Sequence, residues 1–204
     1  MLVLASSSPR RRQLLEQVGV QFAVDPCHSE PAADASAPAE EATTQAATHK
    51  AGRVAGRHHA WVLGADTVVS CGGKLLGKPA DDAQAAAMLR RLSGRSHRVV
   101  SAVVLLQPGG QAYARRVVSS RVTFRELDEE WIAWYLASGE PFDKAGAYGI
   151  QGRAAALVRA VEGSYTNVVG LPLAETLDIL RQAGLWRPAA VPATAPAPGP
   201  GGER

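Results

Sequence analysis

Among the side chains of this chain able to take part in a reaction, a few acids and cations stand apart. Asp66 follows the apolar run Leu63-Gly64-Ala65, and Glu30 lies in a stretch rich in Pro and Ala. Lys50, Lys78 and the run Arg10-Arg11-Arg12 supply positive charge. Paired carboxylates can hold a divalent cation, Mg²⁺ or Mn²⁺, and take a proton from a bound water. Plain anion binding has no use for them, because without a metal they repel an anion. Joined to lysines and arginines, they suit cleavage of a polyphosphate, which needs neutralised oxygens, a placed water and usually a metal.

The chain start adds a second phosphate-binding feature. Leu2-Val3-Leu4-Ala5 reads as a strand running into Ser6-Ser7-Ser8, and Pro9 suits the first turn of a following helix. The amides of that helix start, the positive end of its dipole, the hydroxyls of Ser6 and Ser8 and the guanidiniums of Arg10 and Arg11 would then share one corner. A plainer reading stands beside it, in which Ser8 caps the helix and the arginines are solvated. Plainer readings exist for the others too. Asp66 before Thr67 can cap a turn, Glu30 can be an ordinary exposed acid, and Lys50 sits on a helix surface that normally meets water. Lys78 lies between Gly77 and Pro79, a stiff loop that fixes a side chain better than a helix surface does.

Elements that would carry these groups can be read from periodicity and punctuation. A helix over 9–18 puts Leu14, Leu15 and Val18 on one face, with Gly19 as C-terminal cap, and 22–24 reads as a second strand. Pro26 to Ala39 reads as a surface loop before an Ala-rich helix ending near Arg57. Trp61–Gly64 and Val68–Ser70 are strand-like, with Asp66 at the end of the first, followed by a Gly72-Gly73 turn. Asp81 is the expected N-cap of a helix over 82–92 that Gly94 ends. Val99–Leu106 is apolar enough to be buried on both faces and pairs with 113–123 across Pro108-Gly109-Gly110 as a long hairpin. A helix over 129–137, a strand over 157–161 and a last helix over 172–183 follow. The alternation implies an α/β fold, a mixed sheet flanked by helices.

Composition narrows the classes. A chain of 204 residues is expected to form a single domain. The net charge of +3 is too small an excess to indicate nucleic-acid binding, so no stable nucleic-acid partner is expected. Cys27 and Cys71 show neither CxxC nor metal spacing, and the five histidines lack the zinc-protease pattern. Gly146, Gly149 and Gly152 do not have the dinucleotide-fingerprint spacing; they let the backbone approach a ligand or turn tightly. No apolar run approaches a membrane span, and Pro9 with the arginines cuts the first one short of a signal peptide, so a cytoplasmic location is expected. Residues 188–204 are almost only Pro, Ala and Gly and read as a disordered tail after a domain over 1–187.

Five segments in order carry a further signal. They are Leu4-Ala5-Ser6-Ser7-Ser8-Pro9-Arg10-Arg11, Leu63-Gly64-Ala65-Asp66-Thr67-Val68-Val69, Leu76-Gly77-Lys78-Pro79, the stretch Ser138-Gly139-Glu140-Pro141-Phe142-Asp143-Lys144-Ala145-Gly146-Ala147-Tyr148-Gly149-Ile150-Gln151-Gly152, and Val168-Val169-Gly170-Leu171-Pro172-Leu173. Together the chain from Met1 to about Leu185 resembles the Maf-like nucleoside triphosphate pyrophosphatases. The resemblance implies an elongated α/β fold with a twisted mixed sheet and two lobes around a cleft, similar to inosine triphosphate pyrophosphatase. It implies hydrolysis of a nucleoside triphosphate to the monophosphate and pyrophosphate. Asp66 would be the proton acceptor, with Glu30, Lys50 and Lys78 at the phosphate end; Arg10, Thr67 and Gln151 would govern substrate choice. A carboxamide at Gln151 can accept from N3–H of thymine or uracil and donate to a neighbouring carbonyl, whereas an acid there would suit guanine. The dTTP/UTP branch is therefore expected. A 7-methyl-GTP or inosine triphosphate branch, a regulator of septum formation acting by contact, and a homodimer remain open. The Ala-rich 31–44 stretch and the tail after Arg187 depart from the family pattern.

Overall fold

The computed structural model describes residues 1–29 and 37–188; Glu30 and, apart from Pro188, the expected tail lie outside them. The strands are β1 (Leu2–Leu4), β2 (Ala23–Val24), β3 (Trp61–Cys71), β4 (Lys74–Leu76), β5 (Ser96–Leu106), β6 (Ala112–Phe124) and β7 (Val158–Glu162). They make a seven-stranded sheet in the order β2-β1-β3-β5-β6-β7, with β4 hydrogen-bonded to β3. Pairing is parallel in β1–β2 and β1–β3 and antiparallel elsewhere, so the sheet is mixed, as the alternation implied.

The helices are α1 (Pro9–Gln17), α2 (Ala39–Ala55), α3 (Asp82–Leu92), α4 (Glu129–Leu136), α5 (Tyr165–Val169) and α6 (Leu173–Gln182). Asp81 caps α3 by accepting from Gln84 N at 2.7 Å, and Asp128 caps α4 by accepting from Trp131 N at 2.9 Å. The short α5 went unread in the sequence because it is a single turn held by Ser164, which accepts from Asn167 N.

β3 organises the layers because its side chains alternate. Val62 and Gly64 face α2, where Ala47, Ala51 and Val54 pack on Val3, Ala102 and Val104. On the other face Leu63 and Ala65 join the core under α1 and α6, whereas Val69 and Cys71 join a second core under α3 and α4. Between those two cores lies Thr67, and the apolar packing divides there into two lobes. β5 is the shared wall, buried from Val99 to Leu106 as its composition implied.

The expected break in β3 is absent. Ala65, Asp66 and Thr67 continue the strand because each pairs with β5, opposite Val103, Ala102 and Ser101. Asp66 is thus in the middle of a strand rather than at its end. On the other edge β1 pairs with β3 only through Leu63, and β4 pairs only from Val69. Gly64 to Val68 therefore have no strand on that side among the described residues. Among those residues, too, no helix is long and apolar enough to cross a membrane.

Candidate active site

The gap in the β3 edge opens into a cleft of about 760 Å³. Ser6, Ser8, Arg10 and Arg11, Lys50, Asp66 and Thr67, Lys78, and Gln151 all line it. Every site residue expected from the sequence, apart from Glu30 outside the described residues, is thus brought to one place.

One wall is the start of α1. The Ser8 side chain makes no capping bond, against the plainer reading of this turn. Ser6 Oγ instead closes the turn, accepting from Ser8 N at 3.2 Å. Pro9 occupies the first turn, where a missing N–H costs no helical bond. The Ser8 hydroxyl and the positive end of the helix are left on the cleft side.

Arg11 behaves differently from the solvated or phosphate-facing group the sequence implied. It is only 9% exposed, and Nε donates to Gly170 O at 2.8 Å. Nη1 donates to Ala65 O at 2.8 Å and to Ser6 Oγ at 3.2 Å, and Nη2 donates to Thr67 Oγ1 at 3.1 Å. One guanidinium so takes the carbonyl that β3 leaves unpaired at Ala65 and ties α1, β3 and the end of α5 together. Such fixed, forked donation is what Arg does better than Lys. Gly170, at φ 128°, turns the chain in a conformation that L side chains rarely adopt.

Asp66 faces the opposite side of β3, toward α2. Its Oδ1 accepts from Lys50 Nζ at 2.7 Å, and the two side chains are 16% and 11% exposed. This close approach of helix and strand depends on Gly64. A Cβ there would come within 2.8 Å of Ala51 Cβ and closer still to Ala47 O, the residues flanking Lys50 on the helix. Thr67 Oγ1 lies 2.8 Å from Ser101 Oγ and 3.2 Å from Gly170 O, which accepts from it. Ser101 in turn donates to Asn167 O, and the buried Asn167 side chain donates to Val99 O and Ser120 Oγ. A polar seam therefore runs inward from the cleft between the two lobes.

The far wall comes from the loop after α4. Lys78 follows β4 and is exposed to the cleft, and Gly77 O accepts from Gly146 N at 3.0 Å, tying the two loops. Gly146 has φ 71°, and a Cβ would meet Val69 at 3.0 Å, so this glycine serves the turn. Gln151 is exposed on the same loop. Tyr148 closes the floor, with its hydroxyl 2.7 Å from His97 Nε2. Burial pushes the His97 imidazole down to about 4 and the Tyr148 phenol well up, so both are neutral at pH 7.

A divalent cation fits this donor set in one arrangement. The described residues include no cluster of three or more His, Cys, Asp or Glu, so an all-protein cage is not formed by them. Mg²⁺ commonly takes only one or two carboxylates and completes its shell with water and substrate phosphate oxygens, and Asp66 at the cleft wall supplies one such carboxylate. Residues the sequence did not single out as site members include Ser101 and Asp143. Ser101 had a signal, a lone hydroxyl within an apolar run; Asp143 lay inside the segment carrying Gln151.

Comparison with known proteins agrees with this architecture. A family model described as Maf-like protein matches residues 1–183. A dTTP/UTP pyrophosphatase from Myxococcus xanthus (strain DK1622) is 51% identical over 191 residues, covering 92% of this chain and 96% of the relative. One from Symbiobacterium thermophilum is 52% identical over 185 residues, covering 90% and 94%. Among solved structures, a HAM1 protein from Coxiella burnetii superposes with a TM-score of 0.50 at 17% identity, covering 89% of this chain and 98% of that one, a likeness of fold alone. With the match running from the β1 strand into the last helix, the chain belongs to the Maf-like protein family.

Proposed function

We propose that this protein hydrolyses nucleoside triphosphates, dTTP and UTP foremost, to the monophosphate and pyrophosphate. The observation that carries this is the Lys50–Asp66 pair, set 2.7 Å apart in the cleft that the serine corner, Lys78 and Gln151 also line. An acid held by a lysine beside further anion-binding groups has little purpose in a protein that only binds. The relatives more than half identical over nine-tenths of this chain are named dTTP/UTP pyrophosphatases, which supports the same substrates here.

In this reading Asp66 accepts the proton of a water that attacks the α-phosphorus. The α–β anhydride bond breaks and its electron pair leaves on pyrophosphate, so one water is consumed and one proton passes to the carboxylate. Lys50 orients Asp66. Lys78, on its stiff loop, faces the charge that grows on the leaving oxygens, where a fixed cation lowers the barrier more than the ground state. The Ser8 hydroxyl and the α1 N-terminus hold phosphate oxygens, while Ser6 and Arg11 build the corner that presents them. Asp66, together with Glu30, would hold Mg²⁺ or Mn²⁺, whose chemistry is to neutralise phosphate oxygens and lower the pKa of a bound water. Arg10 and Gln151 read the base, and Thr67 shapes that end of the site through its bonds to Arg11 and Gly170. Removal of unwanted nucleotides from the precursor pool follows from such an activity.

Release of pyrophosphate from dTTP, UTP, CTP, GTP, ITP and 7-methyl-GTP, measured on purified protein with Mg²⁺ or Mn²⁺, tests the reading. Highest kcat/KM for dTTP and UTP is expected. Equal values across the panel would sink the pyrimidine assignment, and no pyrophosphate from any of them would sink the reaction.

A further inference from the structure

Arg10 and Gln151 are held by one cluster of charges in the loop that closes the cleft. Asp143 Oδ2 accepts from Arg10 Nη1 at 3.3 Å, reaching from the loop after α4 to the start of α1, and Oδ1 accepts from Lys144 Nζ. Lys144 also donates to Glu140 O at 2.6 Å. Its stem lies flat on Gly149, where a Cβ would come within 2.5 Å of Lys144 Cε. Past Gln151 the Glu140 carboxylate accepts from Arg153 N at 3.0 and 3.1 Å and packs on Gly152, where a Cβ would come within 2.6 Å of its Cδ. The backbone on both sides of Gln151 is clamped by the same group of residues that anchors Arg10.

Asp143 lines the cleft, and its charge says which part of a ligand belongs beside it. Partial burial pushes its carboxyl up, but the hydrogen bond and charge of Lys144, and then those of Arg10, outweigh that and hold it below the usual range. Its negative charge offsets one of the two positive charges of Arg10 and Lys144. With that charge offset, this corner attracts phosphate less than the Ser8 turn, the α1 N-terminus, Lys50 and Lys78 do, and the base and sugar are what it is left to meet.

We infer that Asp143 is a positioning residue for base choice, fixing Arg10 directly and Gln151 through Lys144 on Gly149, so that the two read the base as a unit. This rests on the proposed nucleotide activity. Asp143 is 62% exposed and Arg10 25%, and an ion pair so open to water adds little to stability. Asp143→Asn therefore folds, and its effect is read in recognition.

The test combines hydrolysis with binding of the non-hydrolysable α,β-imido analogue of UTP. In Asp143→Asn the KM for dTTP and UTP rises roughly tenfold, with a smaller fall in kcat, as expected when a group that orients a hydrogen-bonding partner is lost. The preference for UTP over GTP falls by a similar factor, and Asp143→Glu restores most of it. The double variant Arg10→Ala/Asp143→Asn binds the analogue more weakly than Arg10→Ala alone, but by less than the full loss seen in Asp143→Asn, because part of that loss runs through Arg10 and the rest through Lys144. Additive losses, or an unchanged nucleotide ratio in Asp143→Asn with the wild type active, would overturn the inference while leaving the activity standing. Coupled loss of analogue binding in a wild type that releases no pyrophosphate would do the reverse.

Discussion

Asp66 is where residue identity and position matter most. An amide in its place fills the same space and still accepts from Lys50, but it cannot take a proton from water and binds a cation poorly. Asp66→Asn is expected to lower kcat by roughly 10² to 10⁴ while its melting temperature stays within a few degrees. Activity above a third of wild type would remove Asp66 from the role of base. Gln151 carries the second expectation at this scale. Its amide can match the donor-acceptor edge of uracil or thymine, and Gln151→Glu offers two acceptors instead. Comparative kcat/KM values should then shift toward guanine nucleotides by about tenfold or more, since a polar site rejects a base edge that leaves its groups unpaired. Arg11 shows how far a residue's neighbours outweigh its type. It stands in a run of three arginines, yet its recorded bonds go to protein oxygens, and its substitution is a matter of architecture before it is one of substrate.

At the scale of elements, the site depends on how closely α2 lies on β3. The helix is rich in Ala on its buried face, with Ala47 and Ala51 fully buried, and Gly64 opposite them has no side chain. Small residues on both sides let Lys50 reach Asp66 directly. Gly64→Ala forces the helix outward, because the added methyl meets backbone and Cβ atoms and not the end of a flexible side chain. Overpacking of this kind costs about 1–3 kcal/mol. Urea unfolding should show that loss, and kcat should fall with it because Lys50 moves with its helix turn. A variant with lower stability but full kcat would separate the helix contact from the site.

Across the whole molecule, the lobe under α3 and α4 carries a built-in sensitivity to acid. His97 is 3% exposed and packs edge-on against Phe124 and Tyr148, with its pKa pushed by burial from 6.5 to about 4. The folded state thus binds fewer protons than the unfolded chain between those values. Its contribution to stability is complete above about pH 6.5 and is lost as the pH falls through 4, a loss of roughly 3 kcal/mol if the whole shift is realised. Denaturant midpoints at pH 8 and pH 4.5 should separate the wild type from His97→Phe, the variant losing less over that interval. Equal losses in both proteins would place the acid sensitivity elsewhere.

Much of this protein was legible in its residues alone. Local rules were enough for α3, started by Asp81 and stopped before Gly94, for the long β5–β6 hairpin, and for the start of α1 after a short apolar strand. The family resemblance gave roles to Arg10, Lys50, Asp66, Thr67, Lys78 and Gln151, which the structure brings around one cleft with Ser6, Ser8 and Arg11. What local chemistry does not encode is pairing at a distance. Asp66 lies mid-strand because β5 pairs past it, and Arg11 is buried because its carbonyl partners Ala65 and Gly170 come from 54 and 159 residues away. Asp143 meets Arg10 across 133 residues of sequence. Helix caps and turns are decided within a few residues, where propensity and hydrogen bonding act at short range. Which edge of β3 is left open, and which charges meet across the gap, is decided by the sheet order, and that follows from packing of segments far apart in the chain.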